Sequence, residues 1–128
     1  MHHPAPTALV RAALTLEAFT LWLADSGDDL VDAVDLLGGP VWLPIALRVV
    51  HAAEDGDDIS SLTADMRRLH QLLHLEFADR WDTEEARRFM SVNPDDPRAD
   101  NARRCADAIE RGLRALRMVR PVASKEAA

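Results

Sequence analysis

Two histidines one helical turn apart are the residues of this chain best placed to bind a metal ion. His70 and His74 have the i, i+4 spacing that puts two imidazoles on one face of a helix. The segment between them, residues 71–73, lacks the glutamate of the helical zinc-protease motif. Since such spacings arise often in helical proteins, we predict a packed, solvated pair, with no bound metal and no cofactor. The other side chains that could complete a metal site are His51, Glu54, Glu76 and Asp79.

Carboxylates, the groups most used with histidine for general acid and base catalysis, occur in adjacent pairs. All of these pairs lie in predicted turns or first helical turns, where acids cap and solvate helix starts. Glu17 differs because it lies in the most apolar segment, where we expect it to pair with Arg11 or Arg48. The adjacent pairs include Asp28-Asp29, Asp57-Asp58, Glu84-Glu85 and Asp95-Asp96.

Cys105 is the single cysteine, so no disulfide can form within the chain, as expected for a protein of a reducing cytoplasm. Two arginines precede it and could lower the pKa of the thiol, but it also adjoins the apolar seam of the last predicted helix. We predict a packed thiol, because free cysteine is among the most buried residue types. The serines lie at predicted turns or chain ends without a nucleophile-elbow motif. The chain is therefore predicted not to be an enzyme.

The elements that would position these residues are predicted to be helices. The chain shows no alternation of apolar and polar residues, has no tyrosine, and is rich in alanine, leucine and arginine. We predict a single-domain all-α bundle of five or six roughly antiparallel helices in residues 7–120, with its two most apolar helices at the centre. The two ends of the chain, residues 1–6 and 121–128, are predicted to be flexible. Gly27 is expected to end the first helix in the left-handed conformation. The expected helices span residues 7–25, 28–37 and 42–53, a fourth segment from Ser60 or Ser61, and a last helix from Asp96 to about Val119.

The fourth helix gives the clearest periodicity, because its apolar residues recur at spacings of four and three. A capping box at residues 82–85 leaves two alternatives open: one continuous helix to Met90, or a second helix that starts after a break. The periodic residues are Leu62, Met66, Leu69, Leu73, Phe77 and Trp81.

Charge is distributed unevenly along the chain. The formal net charge is −7, and residues 1–60 carry two bases against ten acids, whereas residues 61–128 carry 13 bases against 12 acids. An acidic domain repels a phosphate backbone, so we predict no binding to nucleic acid. The stretch 8–24 contains Arg11 and Glu17, which argue against a membrane span, and residues 1–6 lack the basic cluster of a signal peptide. All but one of the 15 basic residues are arginine, which suggests a high-GC bacterial genome.

The first and third predicted helices are apolar on nearly all sides and must be covered on nearly all sides. Either a compact bundle packs both internally, or a second copy or another protein covers them; we predict a homodimer. Aromatic residues on these helices and the charged residues of two other helices are the predicted contacts, since opposed charges orient association. The interface candidates are Phe19, Trp22, Trp42, Asp28, Asp29, Asp32, Asp35, Arg117 and Arg120.

These observations predict a non-catalytic protein-interaction module, an adaptor or regulator of a bacterial cytoplasm, which acts through helix–helix contacts and self-associates. Two alternatives stay open. The first is an acidic neutralising protein, such as an immunity protein, an antitoxin or a phage-encoded inhibitor, whose carboxylates cover a basic partner. The second is a helical bundle that binds a metal or small ligand through His51, His70 and His74.

Overall fold

The structure, a computed structural model, describes the backbone of residues 4–77 and 79–127 and the side chains of residues 7–77 and 79–119. Within these ranges the chain is a bundle of α-helices without strands, which confirms the predicted fold class. A 3-10 turn at Ile59–Leu62 precedes the fourth helix. The helices are α1 (Pro4–Asp25), α2 (Gly27–Gly38), α3 (Leu43–Glu54), α4 (Thr63–Leu73), α5 (Glu84–Ser91) and α6 (Pro97–Ala127).

The helix with most neighbours is α2, which packs against α1, α3, α4, α5 and α6. α6 packs against α1, α2 and α4, and α3 packs against α1, α2, α4 and the 3-10 turn. Small residues allow close packing: a Cβ atom added at Gly112 of α6 would lie 2.5 Å from the Phe19 ring of α1. The prediction that α1 is central was wrong, because one side of this helix is exposed to solvent although it is apolar.

Gly27 does not end α1 in the left-handed conformation, contrary to the prediction. It is the buried first residue of α2, and a Cβ atom there would lie 2.5 Å from Cγ1 of Val50, so its missing side chain lets α2 approach α3. Among the described residues two glycines, Gly39 and Gly56, have a φ of 75°, and the N–H of Gly39 donates to the carbonyls of Val34 and Asp35 and ends α2.

Residues 61–91 form two α-helices, which resolves the alternative that the sequence left open. α4 ends at Leu73, and Leu75 adopts a φ of 62°. After this break Phe77 packs edge-on against Trp42, with ring centroids 5.7 Å apart. The hydroxyl of Thr83 accepts a hydrogen bond from the N–H of Ala86 and starts α5, so the N-cap lies one residue after Asp82, the first residue of the predicted capping box.

The last helix continues past the predicted end near Val119. Its backbone is helical through Pro121 to Ala127, since a proline removes one hydrogen bond and need not stop a helix. α1 likewise begins at Pro4 rather than at Thr7. The side chain of Arg120 and those of the predicted C-terminal tail, residues 121–128, lie outside the described residues, as do residues 1–3 of the predicted flexible N-terminus.

Ion pairs on α6 join residues three or four positions apart. Arg114 binds Glu110 at 3.3 Å in the favourable i, i+4 order, and Arg103 binds Asp100 at 3.7 Å. Arg48, an expected partner of Glu17, instead makes two bonds to Asp65, at 3.0 and 3.1 Å. That expectation was wrong because the side chain of Glu17 is exposed, so burial creates no need for a counter-charge.

Candidate functional site

One face of α1 exposes a row of large apolar side chains that no other part of the described chain covers. Ala12, Phe19 and Leu23, on the opposite face, are buried against the bundle. We call the exposed row the α1 stripe. It consists of Val10, Leu14 and Leu21, which are 57, 59 and 59% exposed; Leu9, which is 45% exposed, lies about 100° around the helix from Val10 and does not belong to it.

Helix geometry explains why the α1 stripe is continuous. Val10, Leu14 and Leu21 are separated by four and seven residues, which brings them to one side of a helix with 3.6 residues per turn. Arg11 and Glu17 are also exposed, and each lies three residues from Leu14 on opposite flanks of the stripe. The surface is therefore apolar along its middle and carries one positive and one negative charge at its rim.

The same helix satisfies simple criteria for a membrane span. Thr7–Asp25 is long and apolar enough by length and composition, with a mean hydropathy of 1.3 and 17% of the span buried. A single helix of this kind is a weak indication, because it also includes the exposed charges of Arg11 and Glu17. Its buried face packs against α3 and α6 as an ordinary member of the bundle.

The predicted aromatic contacts occupy three different environments. Phe19 is buried in the core and stacks on the half-buried Trp22, with ring centroids 6.0 Å apart. Trp42 is also buried, and its Nε1 donates to Oε2 of Glu85 at 3.3 Å, while the guanidinium of Arg68 lies 5.3 Å from its ring centroid. Phe19 and Trp42 thus stabilise the single chain. On α1, the most exposed large apolar side chains are those of the α1 stripe.

The charged interface candidates that the structure describes are all at the surface. Asp28, Asp29, Asp32 and Asp35 point outward from α2, and Arg117 is exposed on α6. Arg98, which binds Asp96 at 3.0 Å, also feels the charges of Asp35 and Asp32. Part of the acidic field of α2 is therefore balanced within the chain.

A second candidate site lies where α4 meets α6. His70 of α4, His74 at the C-cap of α4 and Glu110 of α6 each present a metal-ligating atom, and these atoms all lie within 4.8 Å of one another. The two imidazole centroids are 4.3 Å apart. Within the described chain His51 is exposed on α3 and does not belong to this cluster.

Glu110 was missed among the sequence candidates because the register of α4 against α6 is a tertiary property. One signal was present: the periodic row of α4 and the apolar seam of α6 were both predicted to face the core. Leu69 and Ile109 are both almost fully buried, and each is followed by one cluster residue, His70 or Glu110, at the edge of the helix contact. Two facing seams bring their flanking residues together.

The environment of His70 favours its neutral form. Burial, followed by the nearby His74, lowers its pKa below the ordinary value of 6.5; Arg117 acts in the same direction, while Glu110 and Glu76 oppose the shift. Its Nε2 atom is buried and has no hydrogen-bond partner in the described structure. His70 also lines two adjoining pockets of about 250 and 330 Å³, the second shared with His74 and Glu76.

Cys105 is completely buried, which confirms the predicted packed thiol. Burial raises its pKa to about 12, with a further increase from Asp29 that exceeds the opposing effect of Arg104. At neutral pH the thiol is therefore protonated, and its sulfur lies 4.0 Å from Oδ1 of Asn101. A group in this state is a poor nucleophile.

Comparison with known proteins adds no functional assignment. No family model matches this sequence, no curated protein is significantly similar to it, and no solved structure matches its fold at a significant level.

Proposed function

We propose that this protein is a non-catalytic interaction module that self-associates through the α1 stripe. The observation that supports this proposal is the exposure of Val10, Leu14 and Leu21 on one side of a helix whose other side is packed. Contiguous apolar surface of this kind is uncommon on a monomer and typical of protein contact sites.

The rim charges favour a second copy of this chain as the partner. If two α1 helices pack in parallel about a two-fold axis along the α1 stripe, Arg11 of one copy and Glu17 of the other lie on the same edge of the interface, because the two residues are on opposite flanks of the stripe. Leu14 of one copy then lies level with Leu14 of the other. An antiparallel pair would instead bring the two Arg11 side chains together on one edge and the two Glu17 side chains together on the other, so the sequence of α1 favours the parallel dimer.

The expected affinity is weak. Fully burying a leucine or valine is worth about 1.5–3 kcal/mol, so covering the exposed half of each stripe residue gains about 1–1.5 kcal/mol. Two copies of the three residues give about 6–9 kcal/mol before the cost of association, which is at least about 4 kcal/mol. We therefore expect a dissociation constant in the millimolar range, about 0.2 mM at the tightest.

Sedimentation equilibrium over a range of protein concentrations tests this proposal. The dimer should weaken at least about 30-fold in Leu14→Glu, which removes two half-exposed leucines from the interface and places two carboxylates at the axis. Thr15→Glu is the matched control: it adds the same charge at the neighbouring exposed position, outside the stripe, and should leave the constant unchanged.

A charge exchange tests the parallel arrangement. Arg11→Glu should weaken the dimer severalfold, and the double variant Arg11→Glu, Glu17→Arg should restore it, because opposite charges again lie on the same edge of the interface. A monomer at millimolar concentration would refute the proposal, as would equal effects of the Leu14 and Thr15 variants. Cosedimentation of a monomer with lipid vesicles, lost in Leu14→Glu, would assign the stripe to a membrane surface and would also refute it.

A further inference from the structure

We propose that His70, His74 and Glu110 form a binding site for a divalent transition-metal ion, with Zn²⁺ as the best match to the donor set. Two imidazoles and one carboxylate are ligands that zinc takes in proteins, and three protein ligands leave a fourth position for water. This inference is independent of the α1 stripe, because none of the three residues belongs to α1.

The spacing of the ligand atoms is close to what a metal requires. Ligands about 2.1 Å from a tetrahedral zinc ion lie about 3.4 Å from one another. The three atoms here lie within 4.8 Å, so a small side-chain rotation brings them to bonding distance. His74 is exposed and at the C-terminal end of α4, where its side chain is free to make this rotation.

The hydrogen-bonding state of His70 makes it suited to be the first ligand. A metal needs the neutral imidazole with a free lone pair, and Nε2 of His70 is buried without a partner. An unsatisfied buried nitrogen is costly, and a metal bond would satisfy it. Glu76 shares a pocket with both histidines and adds negative charge beside the proposed ion.

Positive charges near the cluster limit the affinity. Arg114 holds Oε1 of Glu110 at 3.3 Å, which leaves the other carboxylate oxygen available. Arg67 and Arg117 line the pocket that contains His70 and Glu110. The ion must therefore compete with nearby guanidinium groups, and we expect a modest affinity rather than that of a closed structural zinc site.

Calorimetric titration with zinc chloride tests the site in a full-length chain with His2→Ser and His3→Ser. This background removes the two histidines outside the described residues and leaves His51, His70 and His74. We expect one zinc ion per chain and a rise in melting temperature with zinc. Titration with Co²⁺ should give the visible absorption of a tetrahedral site without a thiolate band.

Three variants and one control decide the assignment. His70→Ala, His74→Ala and Glu110→Gln should each weaken zinc binding at least about tenfold, whereas His51→Ala, which removes an exposed histidine outside the cluster, should not. His74 is exposed, so its variant is expected to fold even if the His70 variant does not. Absence of binding at millimolar zinc, binding unchanged in His74→Ala, or equal loss in His51→Ala would overturn the proposal.

Discussion

Truncation of Trp42 should destabilise the folded chain far more than the same change at Trp81. Trp42 is 6% exposed and Trp81 is 69% exposed. An aromatic side chain buries about 150–250 Å² of surface, and Trp→Ala in a core costs about 3–5 kcal/mol. Trp42→Ala also removes the donor to Glu85, whereas Trp81→Ala removes little buried area and should cost less than about 0.5 kcal/mol.

Thermal unfolding followed by circular dichroism converts these energies into temperatures. For 128 residues the entropy of unfolding is about 0.27 kcal/mol/K, so each kcal/mol lowers the melting temperature by about 4 °C. Trp42→Ala should therefore melt about 11–19 °C below the parent chain, and Trp81→Ala within about 2 °C of it. Because the contacts of Trp42 lie within one chain, the loss should be the same at low and high protein concentration.

Equal shifts for the two tryptophan variants would refute the structural assignment of Trp42. A loss that grows with protein concentration would instead indicate that this ring lies between two copies, as the sequence alone predicted. The assay thus separates a core residue from an interface residue, which apolarity and helix position do not distinguish.

Two further predictions concern single residues of the fold. The thiol of Cys105 is buried and protonated at neutral pH, so it should not react with a thiol reagent in the native protein. In denaturant it should react with one equivalent of the reagent per chain. Rapid reaction of the native protein would contradict the burial of this thiol. Gly39→Ala and Gly56→Ala both place a side chain at a φ of 75° and should each cost about 1 kcal/mol. Gly39→Ala should lower the free energy of unfolding more than Gly56→Ala, because a Cβ atom at Gly39 would overlap Arg88 whereas the space around Gly56 is open. Urea unfolding measures both free energies, and equal losses would show that Arg88 moves away freely.

Local sequence signals predicted the helices well because their causes are local. The N-cap at Thr83 and the apolar seam of α6 both follow from short-range spacing, and the structure contains both. The end of α4 had no such signal. No proline or glycine lies near Leu75, and the chain turns there so that Phe77 can pack on Trp42, a contact made across 35 residues.

The structural roles of two glycines could not be predicted from the sequence either. Gly27 and Gly39 each follow or end a predicted helix, so sequence position alone could not tell a helix cap from a close helix contact. The distinction depends on Val50 of α3, which lies where a Cβ of Gly27 would be. For the candidate site, the His70–His74 spacing was visible in the sequence, but Glu110 depended on how α4 and α6 align.

Two sequence features suggested association: opposed charge between the two halves of the chain and excess apolar surface on two helices. The charge is partly used within the chain, because Arg98 lies in the field of Asp32 and Asp35 of α2. A neutral hydrogen bond, from the amide of Asn101 to the backbone carbonyl of Asp29 at 2.7 Å, also joins α6 to α2. These contacts bring the start of α6 against α2 and reduce the need for a charged partner. The apolar surface is not used in this way: Leu14 and Leu21 remain 59% exposed. Of the two features, the α1 stripe is therefore the stronger reason to expect a partner.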